Sequence, residues 1–482
     1  MYSACLYLLF NVFVYKTLNC KFVLNFVVAF ILKKGMIFRE AKLFLALKNE
    51  RRKVEKMQIM TDWKHQFGAY NLNIRLFFIT NICTQIGMGI FMVIYNFYIR
   101  ELGFNEHLNG NIIAMTALAS AIILIPAGII SDKLGRKNVM MLGIIVTTAA
   151  LICRSLFEIE SFLLVSAFIA GLATAFIQVS AIPWLAENSS HTQRVQLFSY
   201  HAAVMMIANV IGNVTGGVLT DLFTYVFNIE AIWSVRLTLL IAAIIFCMGI
   251  VPIFKMTEKK RVIELNDTGK RNPIKMSWLR NKKHFKLILL FAVAQLLIGF
   301  GSGLVIPYLN LYFADRFNTS NSTIGIILSL GQAATAIAML VGPLVVKRVG
   351  EVRAVVYLQL LSLPFLLLTA YTESLLIATI GFLFRQALMN AGNPIQMSLM
   401  MSKVDDSMKG LANSVNQMVF QLGWAFMGPV STSIVVLYGS YWGYAYVFSI
   451  TAGLYLIGSL YFYFVFKSSS KLRVQQSLAK SS

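Results

Sequence analysis

The chain has 482 residues, of which 58% are hydrophobic and 13% are charged, and its formal net charge is +22. Soluble globular proteins contain about 45–50% apolar and about 25% charged residues, so the composition excludes an ordinary water-soluble enzyme. It predicts a protein that crosses a membrane several times. In such a protein the basic excess is typical of cytoplasmic loops and does not indicate nucleic-acid binding.

Residues 1–56 differ from the rest of the chain. Lys16 and Lys21 divide their apolar stretch into pieces shorter than the roughly 20 residues that span a bilayer. A basic run follows, shortly before Met57 and Met60. We interpret 1–56 as a doubtful extension, with translation starting at one of these methionines. The alternative is an additional amphipathic helix.

Apolar stretches long enough to span a membrane recur after this segment, with short polar breaks between them. We predict twelve spans, at 72–100, 107–131, 138–157, 160–186, 196–222, 230–256, 286–313, 321–346, 353–371, 373–401, 408–436 and 440–466. A polar linker, 257–285, divides them into an N-terminal six-helix bundle, 57–256, and a C-terminal one, 286–466. A tail, 467–482, follows. The fold class is therefore an all-α integral membrane protein.

The two halves resemble each other at an offset of about 214 residues, as in transporters built from internal repeats. In both the first and the seventh span, two glycines precede an asparagine and a tyrosine at the same spacing. These residues are Gly87, Gly89, Asn96 and Tyr98 in the first half, and Gly301, Gly303, Asn310 and Tyr312 in the second. Lysines and arginines concentrate in the linker, in the tail and in alternate loops. By the positive-inside rule, both termini and the linker are expected to be cytoplasmic.

The loop between the second and third spans carries a motif, Gly128-Ile129-Ile130-Ser131-Asp132-Lys133-Leu134-Gly135-Arg136-Lys137. It resembles the signature loop of the major facilitator superfamily, Gly-x3-Asp-x2-Gly-Arg-Arg/Lys. The resemblance extends over residues 62–466 and implies two pseudo-symmetric six-helix bundles. A copy near Gly342 in the second half has lost the aspartate. The resemblance also implies a gate latch made of Gly128, Asp132, Gly135, Arg136 and Lys137, for which we expect Glu187 to be the partner.

Polar residues within spans are costly in lipid and are therefore candidates for a substrate pathway. In the family, the first, fourth, seventh and tenth helices line the central cavity. The candidates on these spans are Asn81, Gln85, Asn96, Gln178, Gln295, Ser302, Asn310, Arg385 and Asn390. The alternative for each is a hydrogen bond between helices.

Arg385 is distinctive because its guanidinium cannot lose its charge inside the tenth span. It requires water, a carboxylate, backbone carbonyls or an anionic substrate. Both a contact to substrate and a structural bond remain open.

No phosphate-binding loop and no nucleophile motif occurs in the sequence. The five cysteines show no paired spacing and no histidine cluster. We therefore expect no catalytic residue, no metal site, no cofactor and no enzymatic activity.

The resemblance implies a secondary active transporter in the bacterial cytoplasmic membrane, working as a monomer by alternating access on a small organic solute. Export of drugs or metabolites, coupled to protons as in the family, is the first hypothesis. Residues 212–217 support it as an imperfect exporter signature, with Asn213 where proline belongs. Uptake or exchange of an anionic metabolite through Arg385 is the alternative. A membrane sensor or scaffold without transport is the alternative of another class.

Overall fold

A computed structural model describes residues 70–189, 191–258, 282–404 and 408–478. Within these ranges the chain is almost entirely helical, and no strand occurs in them. The predicted extension at 1–56, most of the predicted linker and the last residues of the tail lie outside the described residues. The predicted all-α membrane fold is confirmed.

Six helices form the N-terminal half. They are α1 (Leu72–Glu101), α2 (Glu106–Leu134), α3 (Arg136–Leu156), α4 (Glu160–Glu187), α5 (His191–Asp221) and α6 (Ala231–Lys255). A short π-helical turn, Leu222–Val226, extends α5.

The C-terminal half repeats this arrangement. It contains α7 (Phe285–Phe317), α8 (Asn321–Val349), α9 (Glu351–Tyr371), α10 (Leu375–Lys403), α11 (409–438) and α12 (440–467). The last two form one continuous helix assignment that is interrupted at Gly439, whose φ is 75°. Among the described residues, 11 helices are long and apolar enough to span a membrane, and Lys409–Lys467 is long enough for two spans. This agrees approximately with the predicted twelve.

Capping side chains and glycines determine where several of the helices begin and end. The side chains of Asn105 and Ser320 accept hydrogen bonds from backbone N–H groups in the first turns of α2 and α8, as N-caps do. Gly135 joins α2 directly to α3 with a φ of 92°, and Gly350 joins α8 to α9 with a φ of 83°. Glycine tolerates this conformation because it has no Cβ. The second-half copy of the loop has therefore kept its turn although it lost its aspartate.

Close packing through glycine repeats in both halves. Gly89 on α1 faces Gly212 on α5, and Gly299 on α7 faces Gly423 on α11. A Cβ added to Gly423 would lie 2.4 Å from the carbonyl carbon of Gly299. Membrane helices approach each other this closely when small residues lie at their contact. The outer surface is apolar, as lipid requires, with Phe464 71% exposed and Leu376 69% exposed.

Two ends of the bundle are distinguished below. The motif end carries the α2–α3 junction and residues 128–137. The opposite end carries the α1–α2 and α7–α8 connections.

Candidate functional site

The predicted latch residues meet at the motif end. Arg136 Nε donates to Glu187 Oε1 at 2.9 Å, and Arg136 Nη2 donates to Asp132 Oδ1 at 3.1 Å. The first contact joins α3 to α4, and the second joins α3 to the end of α2. Arg136 is therefore placed between two carboxylates on two different helices.

The start of α3 is also bonded to the residues that directly follow α6. The backbone N–H of Arg136 donates to Glu258 Oε1 at 2.6 Å, and Lys137 Nζ donates to the Met256 carbonyl at 2.7 Å. Gly135 lies against the same Glu258 carboxylate, whereas no atom lies within 4 Å of a Cβ built on Gly128. Of the six predicted motif residues, Gly128 is the one that this cluster does not contact.

A cavity of about 360 Å³ is lined mainly by the C-terminal half, in the part of the bundle nearer the motif end, and Gln178 is the lining residue from the N-terminal half. Its lining comes from α4, α7, α10 and α11. Seven lining residues carry side-chain carboxamides: Gln178, Gln295, Asn393, Gln396, Asn416, Gln417 and Gln421. The remaining four are Phe291, Met397, Met400 and Phe420. No charged side chain belongs to this lining, as far as the described residues go.

Two of the predicted pathway residues, Gln178 and Gln295, line this cavity. A third, Asn390, accepts a hydrogen bond at 3.2 Å from the lining residue Asn393. The three carboxamides on α11 were missed, because the resemblance pointed to the first, fourth, seventh and tenth helices. Asn393 and Gln396 were missed although they lie on the tenth helix. The signal available in the sequence was the close spacing of Asn416, Gln417 and Gln421.

Other pathway candidates form hydrogen bonds inside their own half. Asn81 Nδ2 donates to the Phe77 carbonyl at 2.7 Å, one turn earlier on α1. Ser302 Oγ accepts from Trp424 Nε1 at 2.8 Å and so joins α7 to α11. Gln85 is half-buried on α1 and is not part of the cavity lining. The contact of Ser302 favours the alternative of a bond between helices, whereas Asn81 bonds within its own helix.

Asn96 and Asn310 meet across the two halves. Asn96 Nδ2 donates to the Pro307 carbonyl at 2.8 Å and to Asn310 Oδ1 at 3.0 Å. Asn310 Nδ2 donates to the Val93 carbonyl at 2.7 Å. Each asparagine thus donates to the carbonyl three residues before the other. Both are buried, which places this contact between α1 and α7 rather than in the cavity lining.

An ionic contact lies one turn further toward the opposite end. Arg100 Nη1 donates to Asp315 Oδ1 at 2.6 Å, and Arg100 Nη2 donates to Asp315 Oδ2 at 3.0 Å. Glu106 also pairs with Arg100, at 2.5 Å. Tyr444 donates its hydroxyl proton to Asp315 Oδ2 at 2.9 Å. The cluster joins α1 and α2 of one half to α7 and α12 of the other.

A further contact joins the halves at the same end. Asp221 at the end of α5 accepts from Asn321 Nδ2 at 3.1 Å and from the Ser322 backbone N–H at 2.7 Å, at the start of α8. Among the described residues, hydrogen bonds between the halves are thus concentrated at the opposite end, while the cavity lies toward the motif end.

Arg385 is buried, with 2% of its surface exposed. Its Nη1 donates to Gln386 Oε1 at 2.8 Å, and its Nη2 donates to the Tyr455 hydroxyl at 2.9 Å. Tyr455 lies on α12, so this bond joins α10 to α12. Arg385 is not part of the cavity lining, and its contacts favour the structural alternative.

The part of the chain that the structure describes contains no group of three or more His, Cys, Asp or Glu side chains able to hold a metal ion. The described cavity lining offers carboxamides for hydrogen bonding and four apolar side chains for contact.

Comparison with known proteins identifies the family to which the chain belongs. The family model of the Major Facilitator Superfamily matches residues 77–426 and 291–481. The quinolone resistance protein NorA of Staphylococcus aureus is 22% identical over 246 residues, which is 51% of this chain and 60% of that protein. The chain thus spans about 60% of the length of NorA. The uncharacterized MFS-type transporter MJ1560 of Methanocaldococcus jannaschii is 24% identical over 312 residues, 64% of this chain and 78% of that protein.

Solved structures show the same fold at low identity. A bacterial homolog of the human lysosomal transporter Spinster, in an inward-facing and unoccupied conformation, has a TM-score of 0.66 at 13% identity. The match covers 81% of this chain and 95% of that one. The nucleoside transporter NupG has a TM-score of 0.61 at 16% identity, covering 82% of this chain and 99% of that one.

Proposed function

Because this chain belongs to the major facilitator superfamily of membrane transporters, we propose that it carries a small organic solute by alternating access. The observation that carries the proposal is the placement of the cavity. It lies toward the motif end, while hydrogen bonds join the halves at the opposite end. A solute enters from the motif end, and rocking of the halves then exposes it on the other side.

The motif end is proposed to be cytoplasmic, by the positive-inside rule. Both termini are then cytoplasmic, and the conformation is inward-facing. We propose the bacterial cytoplasmic membrane as the location and a monomer as the working unit.

The contacts of Arg136 suggest how the motif acts. Arg136 forms ion pairs with Asp132 on α2 and with Glu187 on α4. We propose that these pairs form in one state and rearrange in the other, so that the energy of exposed ion pairs, about 1 kcal/mol or less each, biases the equilibrium.

Efflux is the proposed direction, supported by the similarity to a quinolone resistance protein. The signature at residues 212–217 supports it less, because Gly212 packs on α1 and Gly217 packs on Asn321 of α8. These contacts are what close helix packing requires. We further propose that protons drive transport. Because the described cavity lining holds no carboxylate, Glu106 and Asp315 are the groups to test for coupling.

Flux into proteoliposomes tests the proposal. The purified full-length chain is reconstituted, and uptake of a quinolone and of uridine is measured with and without an imposed pH gradient. We expect saturable flux of a neutral or zwitterionic compound that is lost in Gln295→Trp, which fills the cavity. Thr379→Val is the matched control, because Thr379 bonds only the Leu375 carbonyl of its own helix among the contacts described.

The same assay decides between the alternatives. Flux of anions that is lost selectively in Arg385→Ala would support uptake or exchange of an anionic metabolite. Correctly inserted protein that moves none of a broad panel of solutes would support a sensor or scaffold.

A further inference from the structure

We infer that Asn73, the second residue of α1, positions two carboxylates that bond to the start of α3. One belongs to Glu187 at the end of α4, and the other belongs to Glu258, just after α6. The inference rests on the proposed function, because it concerns control of the Arg136 latch. It adds a positioning residue that lies outside the motif.

The side chain of Asn73 uses all of its hydrogen-bonding groups. Its Nδ2 donates to the Thr257 carbonyl at 2.8 Å and to Asn188 Oδ1 at 2.9 Å. Its Oδ1 accepts from the Thr257 backbone N–H at 3.0 Å. Asn73 is 4% exposed. A carboxamide has two N–H donors and one carbonyl acceptor, so an apolar residue of similar size cannot replace these bonds.

Both partners of Asn73 lie next to a carboxylate that reaches Arg136. Asn188 directly follows Glu187, whose Oε1 accepts from Arg136 Nε at 2.9 Å. Thr257 directly precedes Glu258, whose Oε1 accepts from the Arg136 backbone N–H at 2.6 Å. The bonds of Asn73 therefore fix the backbone from which each carboxylate extends.

Glu258 supplies a cap that α3 needs. The residue before α3 is Gly135, which has no side chain to accept from the first N–H groups of the helix. The positive end of the helix dipole also favours a carboxylate at this place. Lys137 Nζ bonds the same segment through the Met256 carbonyl, at 2.7 Å. The residues after α6 thus connect α1, through Asn73, to the start of α3.

The contacts of Asn73 belong to the conformation that is open at the motif end. Loss of its side chain weakens the bonds of Glu187 and Glu258 to Arg136 in that conformation. The other conformation, in which the Arg136 pairs are rearranged, then gains population. The expected gain is up to about fivefold, which corresponds to about 1 kcal/mol, the upper range for an exposed ion pair.

Amide exchange tests the positioning without requiring transport. Hydrogen–deuterium exchange of the full-length chain in lipid nanodiscs is followed by mass spectrometry, in peptides that contain residues 135–140. Asn73→Leu should accelerate exchange in this segment up to about tenfold, because loss of a hydrogen bond lowers the local stability that protects the amides. Glu258→Ala should accelerate it directly. Thr84→Val is the matched control, because Thr84 is buried on α1 and bonds carbonyls of its own helix among the contacts described.

Spin labels test whether Asn73 acts through Arg136. The labels are placed at Lys133 and Lys347, which are exposed at the ends of α2 and α8, in a background without native cysteines. Asn73→Leu should shift the distance distribution toward shorter distances. The shift should be absent when Arg136→Ala is already present, because effects that share one partner are not additive.

A milder variant keeps the test valid if Asn73→Leu folds poorly. Asn188→Ala removes one bond of Asn73 at a half-buried position and should produce a smaller shift in the same direction. This shift should also be absent in the Arg136→Ala background.

Unchanged exchange at 135–140 in Asn73→Leu would overturn the inference. A population shift of equal size with and without Arg136 would also overturn it, because a side chain that only stabilises the fold behaves in that way. Flux measured in parallel keeps the two proposals distinguishable. Faster exchange in a chain that moves no solute supports the positioning role and contradicts the transport proposal. Flux in the wild type with unchanged exchange in Asn73→Leu contradicts the present inference alone.

Discussion

Arg100 and Asp315 join the two halves of the molecule through two parallel hydrogen bonds, of 2.6 and 3.0 Å, at the end of the bundle away from the motif. A bidentate pair of this kind is both charge-assisted and directional. It therefore opposes separation of α1 from α7, which opening of the opposite end requires.

Asp315→Asn should shift the equilibrium toward the state that is open at the opposite end. Arg100 and Asp315 are partly exposed, so the pair contributes about 1 kcal/mol or less, which is up to about a fivefold change in population. Spin labels at Glu101 and Glu373, in a background without native cysteines, report the distance between the halves. Arg316→Gln is the control, because Arg316 bonds the Thr372 carbonyl within its own half. An unchanged distance distribution in Asp315→Asn would contradict the prediction.

Asn96→Ala and Asn310→Ala should each destabilise the closed opposite end, and their effects should not be additive. Each substitution removes the hydrogen bonds that the asparagine donates. It leaves a buried carbonyl of the other half without its donor, which costs about 1–3 kcal/mol of stability. We expect a coupling energy of about 1 kcal/mol in a double-mutant cycle on the populations measured with the same labels. Additive effects would show that the two side chains act independently.

Arg136→Ala and Asp132→Asn should lower the rate of transport severalfold without preventing membrane insertion. Arg136 contacts carboxylates on two helices, so its loss changes the balance between states and not the hydrophobic spans. Flux in proteoliposomes is compared with the amount of inserted protein. Lys133→Gln removes a cation from the same loop and is the control. Wild-type rates in both variants would remove the latch role.

Gly135→Ala should reduce the amount of folded protein, whereas Gly128→Ala in the same motif should be tolerated. The φ of Gly135 is 92°, and a Cβ there would lie 2.6 Å from Glu258 Oε2. A non-glycine residue in such a conformation costs about 1–3 kcal/mol. Yield and Tm of the detergent-purified chain measure the effect. Similar losses in both variants would mean that the backbone conformation is not the cause.

Arg385→Met should lower Tm while leaving the charge preference of transport unchanged. Its guanidinium bonds Tyr455 and Gln386 and is not part of the cavity lining. Tyr455→Phe removes one of the same bonds and should show a smaller loss of Tm in the same direction. If Arg385→Met instead abolishes flux of anions at wild-type Tm, Arg385 contacts substrate.

The spans could be predicted because hydrophobic length alone determines them in lipid. The tenth span, for example, was predicted at 373–401, and α10 runs Leu375–Lys403. The partners of polar residues could not be predicted in the same way. Asn96 and Gln295 are both predicted pathway residues, yet Asn96 bonds the other half and Gln295 lines the cavity. A buried carboxamide needs a hydrogen-bond partner, but the amino-acid sequence does not say whether another helix or a solute supplies that partner.

The reciprocal bonds of Asn96 and Asn310 have the form of an isologous interface, in which the same patch on two related units binds itself. Such patches are how identical subunits form closed dimers. Two identical halves that each carried this asparagine could form the same pair of bonds with each other. The Arg100–Asp315 pair has no counterpart at the matching positions, where Glu101 and Ala314 stand. The Asn96–Asn310 contact is thus symmetric between the halves, whereas the Arg100–Asp315 pair beside it belongs to the joined chain alone.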